Sequence, residues 1–420
     1  LTMFENLNDD PNNQLIHYKV NGKIFYSDFA ALEYLTNTIR RNQKNNQITD
    51  SNNIQKYLSE KGVLEFGFKQ QKTNPDWTQE PPHSVQYYRE KMCKAISSTY
   101  NDVILAYTGG TDTETILDTF KFLGTTNLSI INFANDFIHQ QSKARQFLRD
   151  HTVHHFDKKH GADAKKLNWN VKMFQAWTPT DEKQFEDLIT DYKVGHWLGD
   201  YKNVNSWWQN SGRKTLARDN KVKKSCMVYG YEKPTIMLQD GWWTYTLHNA
   251  TWDLPWSALD PNTSIVYFWI NDLVPELIQK LAHLKAKELD KIVCENNIEV
   301  TNKDIFNIGN TDRANPYYNR LMNAMGFHAL SGFLQGYETK KGGNWNTADA
   351  KEQKAMGHTT TKRKQHIADK FFDEVVSKKL HPVFIDKERK IIKPIWTKTI
   401  KVMKASDKAI ALWKNTNFSI

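Results

Sequence analysis

VILAYTGGTDTETIL, residues 103–117, places four apolar residues and a tyrosine directly before Thr-Gly-Gly-Thr-Asp-Thr, after which apolar residues recur at a different period. The first five (103–107) read as a buried strand, and TETILDTFKFLG reads as a helix closed by Gly124. A buried strand that ends in Gly-Gly and turns into a helix presents backbone N–H groups and a helix N-terminus to whatever sits there. Unpaired amides and the helix dipole both favour negative charge, so the turn is a candidate anion site. Gly109 and Gly110 let the backbone approach an anion closely, and Thr108, Thr111 and Thr113 add hydroxyls. Asp112 would repel a bare phosphate, which points to a Mg²⁺ ion bridging it to phosphate oxygens.

Outward from this turn the chain alternates. LSIINF (128–133) is a second strand, NDFIHQQSKARQFLRD (135–150) a helix, VKMFQAW (171–177) a third strand and DEKQFEDLITDYKVGHWL (181–198) another helix. CMVYGY and TIMLQ, within 226–239, supply one or two more strands. Such alternation predicts an α/β fold, a mostly parallel sheet with flanking helices, whose ligands bind beyond the carboxyl ends of strands. The nucleotide-binding core is expected over 99–240.

Before it, residues 1–98 read as a small N-terminal α+β unit. LIHYKVNGKIFYS (15–27) carries an Asn21-Gly22 hairpin turn, and SDFAALEYLTNTIRR (27–41) has helical spacing with Ser27 or Asp28 as N-cap. Residues 41–56 read as a polar loop, DWTQEPP (76–82) as a connector and SVQYYREKMCKAISSTY (84–100) as a helix. After the core, 241–420 reads as a tryptophan-rich, mainly helical and basic region. It holds a long amphipathic helix at 273–295 and a hairpin at HPVFIDKERKIIKPIW (381–396).

Composition sets the outer bounds. The 420 residues are 39% apolar and include 14 tryptophans, a globular rather than disordered make-up. No run of 18 apolar residues exists to span a bilayer, so no membrane partner is expected. The opening LTMFENLNDDPNNQ lacks the basic and apolar regions of a signal peptide. Cys93, Cys226 and Cys294 are far apart, which argues against a zinc clip or a disulfide framework and for a reduced, cytoplasmic protein. The net charge of +10 is matched by residues 351–420 alone, which hold 17 Lys and Arg against seven Asp and Glu. That segment is either a solvated lysine-rich surface or a footprint for tRNA or DNA.

The strand–TGGTDT–helix pattern is neither GxxxxGK[ST] nor GxGxxG. It resembles the PP-loop, usually SGGxDS, of the N-type ATP pyrophosphatases, a superfamily with a HUP-like core that includes asparagine synthetase, argininosuccinate synthetase, GMP synthetase and tRNA-modifying enzymes. Here threonines stand for both serines. More widely, NGKIFYSDFAALEYL, DWTQEPPHSVQYYREKMCKAISSTYNDVILAYTGGTDTETIL and YGYEKPTIMLQDGWW resemble asparagine-synthetase-like PP-loop proteins encoded by tailed phages, over roughly residues 15–300.

The resemblance implies ATP and Mg²⁺ as cofactors and AMP-forming chemistry. A substrate oxygen from a carboxylate, amide or ureido group attacks the α-phosphate, and an amine, ammonia or a sulfur donor then displaces AMP. By position, residues Thr108, Gly109, Gly110, Thr111, Asp112 and Thr113 bind pyrophosphate, with Asp112 on the metal. Asn132 and Phe133 lie near adenine or ribose, and Lys233 neutralises phosphate charge. No cysteine precedes position 93, so no catalytic cysteine of a glutaminase domain is present in that stretch. The acceptor is a small molecule or, on a second reading, tRNA or DNA held by 351–420. A third reading keeps the fold and nucleotide binding without turnover.

Several residues have plain readings beside functional ones. Lys233 can be a surface lysine before a proline, and Asp240-Gly241 a turn rather than a substrate or metal contact. His154 and His155, with His151 and His160 nearby, look like a metal cluster but read as loop or surface residues, because no predicted helix sets two of them at a useful spacing beside a carboxylate. Trp207, Trp208, Trp242 and Trp243 can stack on a base or substrate but more often pack in a core, as Cys226 does.

Overall fold

The computed structural model describes residues 16–25, 28–44, 64–68, 76–107, 109–132, 143–173, 225–230, 233–248, 263–270, 273–309, 315–327, 372–373, 377–385 and 397–414. The chain begins with β1 (Ile16–Val20) and β2 (Lys23–Phe25), joined at Asn21 and Gly22. Both turn residues have positive φ, 49° and 80°, and Val20 faces Lys23, so this is the two-residue turn that an Asn-Gly pair favours. Helix α1 (Asp28–Lys44) follows, burying Ala31, Leu32, Leu35 and Ile39 along one stripe. It runs four residues into the stretch expected as loop (41–44), and Ser27 lies outside the described residues. β3 (Leu64–Phe68) pairs antiparallel with β1 and completes a small sheet in the order β2-β1-β3.

Helix α2 (Val85–Thr99) is capped by Ser84, whose hydroxyl accepts from the Tyr87 amide. It leads into the strand–turn–helix of the opening motif: β4 (Asp102–Ala106), then α3 (Thr111–Phe122). Gly124, at φ 65°, ends that unit in the left-handed conformation expected past a helix terminus. β5 (Leu128–Asn132), α4 (Lys143–Lys166), β6 (Asn170–Met173) and β7 (Ser225–Tyr229) continue the alternation. The helix expected at 181–198 lies outside the described residues.

β8 (Thr235–Gln239) and β9 (Trp242–His248) then form a second tight hairpin on Asp240 and Gly241, both at positive φ. Asp240 is therefore a turn residue. β10 (Thr263–Tyr267) comes next, and α5 (Pro275–Asn296) is the long amphipathic helix, ended by Asn297 in the left-handed region. α6 (Asn302–Gly309) and α7 (Tyr318–Ala324) are short. Toward the C-terminus stand a single turn at Ser377–Lys379, a 3-10 turn at Pro382–Phe384, β11 (Thr397–Lys404) and α8 (Asp407–Leu412). Of the hairpin expected at 381–396, the described residues hold only the 3-10 turn, where Pro382 fixes φ and supplies no ladder donor.

Five strands make the all-parallel sheet, in the order β10-β7-β4-β5-β6. Counted along the chain from the other edge they stand 3-2-1-4-5, so the order reverses between β4 and β7. The strands are buried as runs rather than alternately: Val103, Ile104 and Leu105, and Cys226 to Tyr229, are all shielded. Continuous burial marks a sheet flanked by helices on both faces.

The sheet reaches beyond residue 240, because its fifth strand is β10, and the β8–β9 hairpin straddles that position. The region after 240 also contributes strands to a third sheet, β11-β9-β8, antiparallel throughout. Helix α5 packs against all three of its strands and against α2, α6, α7 and α8. The connector 76–82 is fastened to α5: Gln279 donates to the Asp76 and Gln79 carbonyls, and Glu80 pairs with Lys280 at 2.6 Å. Trp243 is fully buried, its indole N–H donating to Asp290 at 2.8 Å, and Cys226 is core; Trp207 and Trp208 lie outside the described residues. Among the described residues no helix is long and apolar enough to cross a membrane.

Candidate functional site

The crevice of an open α/β sheet forms where strand order reverses, at the carboxyl ends of the two strands that diverge. Here those strands are β4 and β7, and the Gly-Gly turn follows β4. Tyr107 extends the ladder one residue, its N–H donating to the Ile131 carbonyl at 2.8 Å. Gly109 then takes φ 73°, where a side chain would be strained, and Gly110 is the N-cap of α3 with no side-chain capping bond. The helix starts at Thr111, its first bond running from the Glu114 amide to the Gly110 carbonyl at 2.9 Å. Thr108 and Phe133 lie outside the described residues. Asn132 closes β5, the strand next to β4, at the same sheet edge.

Two of the expected hydroxyls are turned toward the protein. Thr113 donates to the Gly110 carbonyl at 3.2 Å, and Thr111 shares a 3.3 Å contact with the Tyr318 hydroxyl. The helix N-terminus itself is therefore what this turn offers an anion.

Asp112 and Lys233, 121 residues apart in sequence, meet here. Lys233 donates to Asp112 Oδ2 at 2.7 Å, and the other carboxylate oxygen, Oδ1, is buried with no hydrogen-bond partner. Lys233 also lies over the Phe327 ring, 5.3 Å from its centroid. Its position is fixed from behind: buried Lys285 of α5 donates to the carbonyl of Pro234 at 2.8 Å. Phe327 is placed in turn by Arg89, whose guanidinium donates to the neighbouring Gly326 carbonyl at 2.7 Å.

The approach of β7 to α3 is close. A Cβ on Gly230 would stand 3.1 Å from Asp112 Cβ, 3.2 Å from Ile116 Cδ1 and 3.3 Å from Thr113 Cγ2. Gly230→Ala is expected to destabilise the fold by about 1–3 kcal/mol by overpacking this contact. Urea unfolding measures it, and an unchanged midpoint would mean that the α3 N-terminus can shift freely.

Behind the turn lies a second constellation. Glu114 is 8% exposed and accepts four hydrogen bonds. Tyr107 and His155 donate to Oε1, the latter at 2.8 Å, while Lys159 and His160 donate to Oε2, each at 2.9 Å. An ionised carboxylate accepts about four such bonds, so Glu114 is saturated. Burial pushes its carboxyl pKa up, but the His160, Tyr107 and Lys159 hydrogen bonds outweigh that and hold it well below its ordinary value. Burial and the adjacent Glu114 charge push the Tyr107 hydroxyl up, keeping it a neutral donor.

The histidines thus correct the loop-or-surface reading. His155 and His160 lie on α4, and His160 is fully buried, although His154 is exposed. Tyr107 and Glu114 stand on either side of the turn, and their hydrogen bond ties β4 to α3.

No protein-family model and no curated protein matches the chain.

Proposed function

We propose that this chain is an ATP-dependent, AMP-forming enzyme of the PP-loop type. The observation that carries the reading is the Gly109–Thr113 turn at the strand-order reversal, with Asp112 and Lys233 in contact beside it. A Gly-Gly turn opening a helix favours a polyphosphate, and a lysine within reach favours charge building on a departing pyrophosphate. Asp112 fits Mg²⁺: its unpartnered Oδ1 is a hard oxygen donor, and this ion is commonly held by one or two carboxylates plus substrate phosphates. When bound, Mg²⁺ neutralises charge shared between phosphate oxygens.

In the proposed reaction a carboxylate, amide or ureido oxygen of the acceptor forms a bond to the α-phosphorus. The bond from that phosphorus to the bridging oxygen breaks, and pyrophosphate leaves with the electron pair. An amine, ammonia or sulfur nucleophile then displaces AMP. The α3 amides bind the departing group, Asp112 would hold the metal, and Lys233 moves from the Asp112 carboxylate to a phosphate oxygen. Asn132 is assigned to the adenosine end from its position at the end of β5, with Phe133 assigned as the next residue in sequence.

A second reading makes the acceptor tRNA or DNA. The basic excess of 351–420 favours it, as do exposed Lys401 and Lys404 on β11, with Lys401 5.2 Å from the centre of the Trp242 ring. Because β11 completes a sheet, the test is charge reversal at Lys401 and Lys404 rather than truncation. Retention of tRNA at low salt should fall several-fold while ATP binding is spared.

The deciding experiment incubates the full chain with α-labelled ATP and Mg²⁺, with small metabolites, tRNA or DNA added separately. Labelled AMP from one pool names the acceptor class. ADP instead of AMP overturns the mechanism, and ATP binding without turnover in any pool identifies a nucleotide-binding protein.

A further inference from the structure

His160 leaves one atom unaccounted for. Its ring is fully buried, and Nε2 lies 2.9 Å from Glu114 Oε2. An ionised carboxylate only accepts, so Nε2 carries the proton and donates. The other nitrogen, Nδ1, is buried without a hydrogen-bond partner. It faces Asp118 Oδ1 at 3.9 Å, beyond hydrogen-bond range. Ligand atoms from Glu114, Asp118 and His160 all lie within 4.8 Å of one another.

An imidazole whose far N–H is held by a carboxylate is the usual arrangement of a metal-bound histidine, and here the other nitrogen faces the Asp118 carboxylate. A cation already lies between two of the three residues: Lys159 Nζ sits 2.9 Å from Glu114 Oε2 and 2.8 Å from Asp118 Oδ2. That side chain is 37% exposed and can swing into solvent, and Asp118, 24% exposed, opens the same way in.

We propose that His160, Asp118 and Glu114 form a site for a divalent metal ion of the zinc class, taken up in place of the Lys159 ammonium. His160 Nδ1 and the Asp118 carboxylate are the ligands, water completes the coordination shell, and Glu114 orients the ring and adds its charge. The mixed nitrogen–oxygen donor set favours Zn²⁺ over Mg²⁺, which prefers oxygen throughout. Glu114 is about one helical turn from the Gly-Gly turn and Asp118 about two, and the site neither uses nor requires the proposed nucleotide chemistry.

The test is Zn²⁺ titration of the chelator-stripped full chain by calorimetry, without nucleotide, with Mg²⁺ as a parallel arm. One Zn²⁺ per chain is expected. Lys159→Met, which removes the competing cation, should bind it at least ten-fold more tightly, and Asp118→Asn at least ten-fold more weakly. Mg²⁺ should not compete at equal concentration. Circular dichroism and the unfolding midpoint establish that each variant is folded; both lie at the half-exposed rim, so neither needs the buried His160 replaced. Zn²⁺ binding indifferent to both substitutions marks adventitious surface histidines and overturns the site. So does a Lys159→Met protein that binds no better than the parent, because Lys159 is then a fixed part of an ion network.

Discussion

Glu114→Ala is expected to destabilise the fold by about 3–5 kcal/mol, the range for removing one partner of a buried ion pair. Four donors lose their common acceptor at once: Tyr107, His155, Lys159 and His160. His160 and Tyr107 are almost wholly buried and cannot turn to water instead. Glu114→Gln keeps the shape but replaces one oxygen by an NH₂ group. Two of the four donors then face a donor, so a large part of the loss should remain.

The pH dependence separates charge from shape. Glu114 has a folded-state pKa below its ordinary 4.5, so the unfolded chain takes up its proton more readily than the folded one. Its contribution is therefore complete above about pH 4.5 and drains away as pH falls toward the depressed value. Lys159 has the opposite sign. Burial lowers its pKa, but the Asp118 and Glu114 hydrogen bonds win and raise it, so its contribution is complete below the ordinary 10.5 and lost above. Urea unfolding at pH 7, 5, 4 and 3 should show the gap between parent and Glu114→Gln narrowing below about pH 4.5. A gap constant with pH would mean that the carboxylate charge contributes nothing.

This cluster is also where sequence reading was weakest, for a physical reason. The opening motif was legible because a strand ending in Gly-Gly before a helical period has few other uses. Asn21-Gly22 was legible because only a tight turn wants two positive φ values in succession. Helix α4, KARQFLRDHTVHHFDKKHGADAKK, carries no such signal. Its buried stripe is Phe156, His160 and Ala164, four residues apart, and the middle member is a histidine. Hydrophobic periodicity scores that position as polar, so the buried face disappears and the histidines read as surface. The i, i+4 pairs His155–Lys159 and Phe156–His160 were the available signal, but Glu114, their partner, lies 41 and 46 residues away. β10 was missed differently, since the tryptophan-dense stretch before it suggested a new region where the same sheet was still being completed.

The second large effect concerns Asp112 and Lys233, whose roles separate because one should repel and the other attract a bare polyphosphate. Asp112→Ala is expected to lower AMP formation by at least about 10²–10³-fold, the range for losing one transition-state charge contact, and Lys233→Met by a similar factor. The pair is largely shielded, with Lys233 11% and Asp112 27% exposed, so each single change should also destabilise the fold by more than the ~0–1 kcal/mol of a surface pair, and unfolding midpoints are read beside activity. ATP binding in the presence of a chelator distinguishes them further. Without Mg²⁺, Asp112→Ala should bind ATP at least as tightly as the parent, since a repelling carboxylate has gone and Lys233 is released toward phosphate. Lys233→Met should bind it more weakly with or without metal. Combining both substitutions should slow AMP formation about as much as the slower single change, because the pair acts on one developing charge. Fully multiplicative losses would place the two residues in separate steps, and chelator-insensitive ATP binding in the parent would remove Asp112 from the metal.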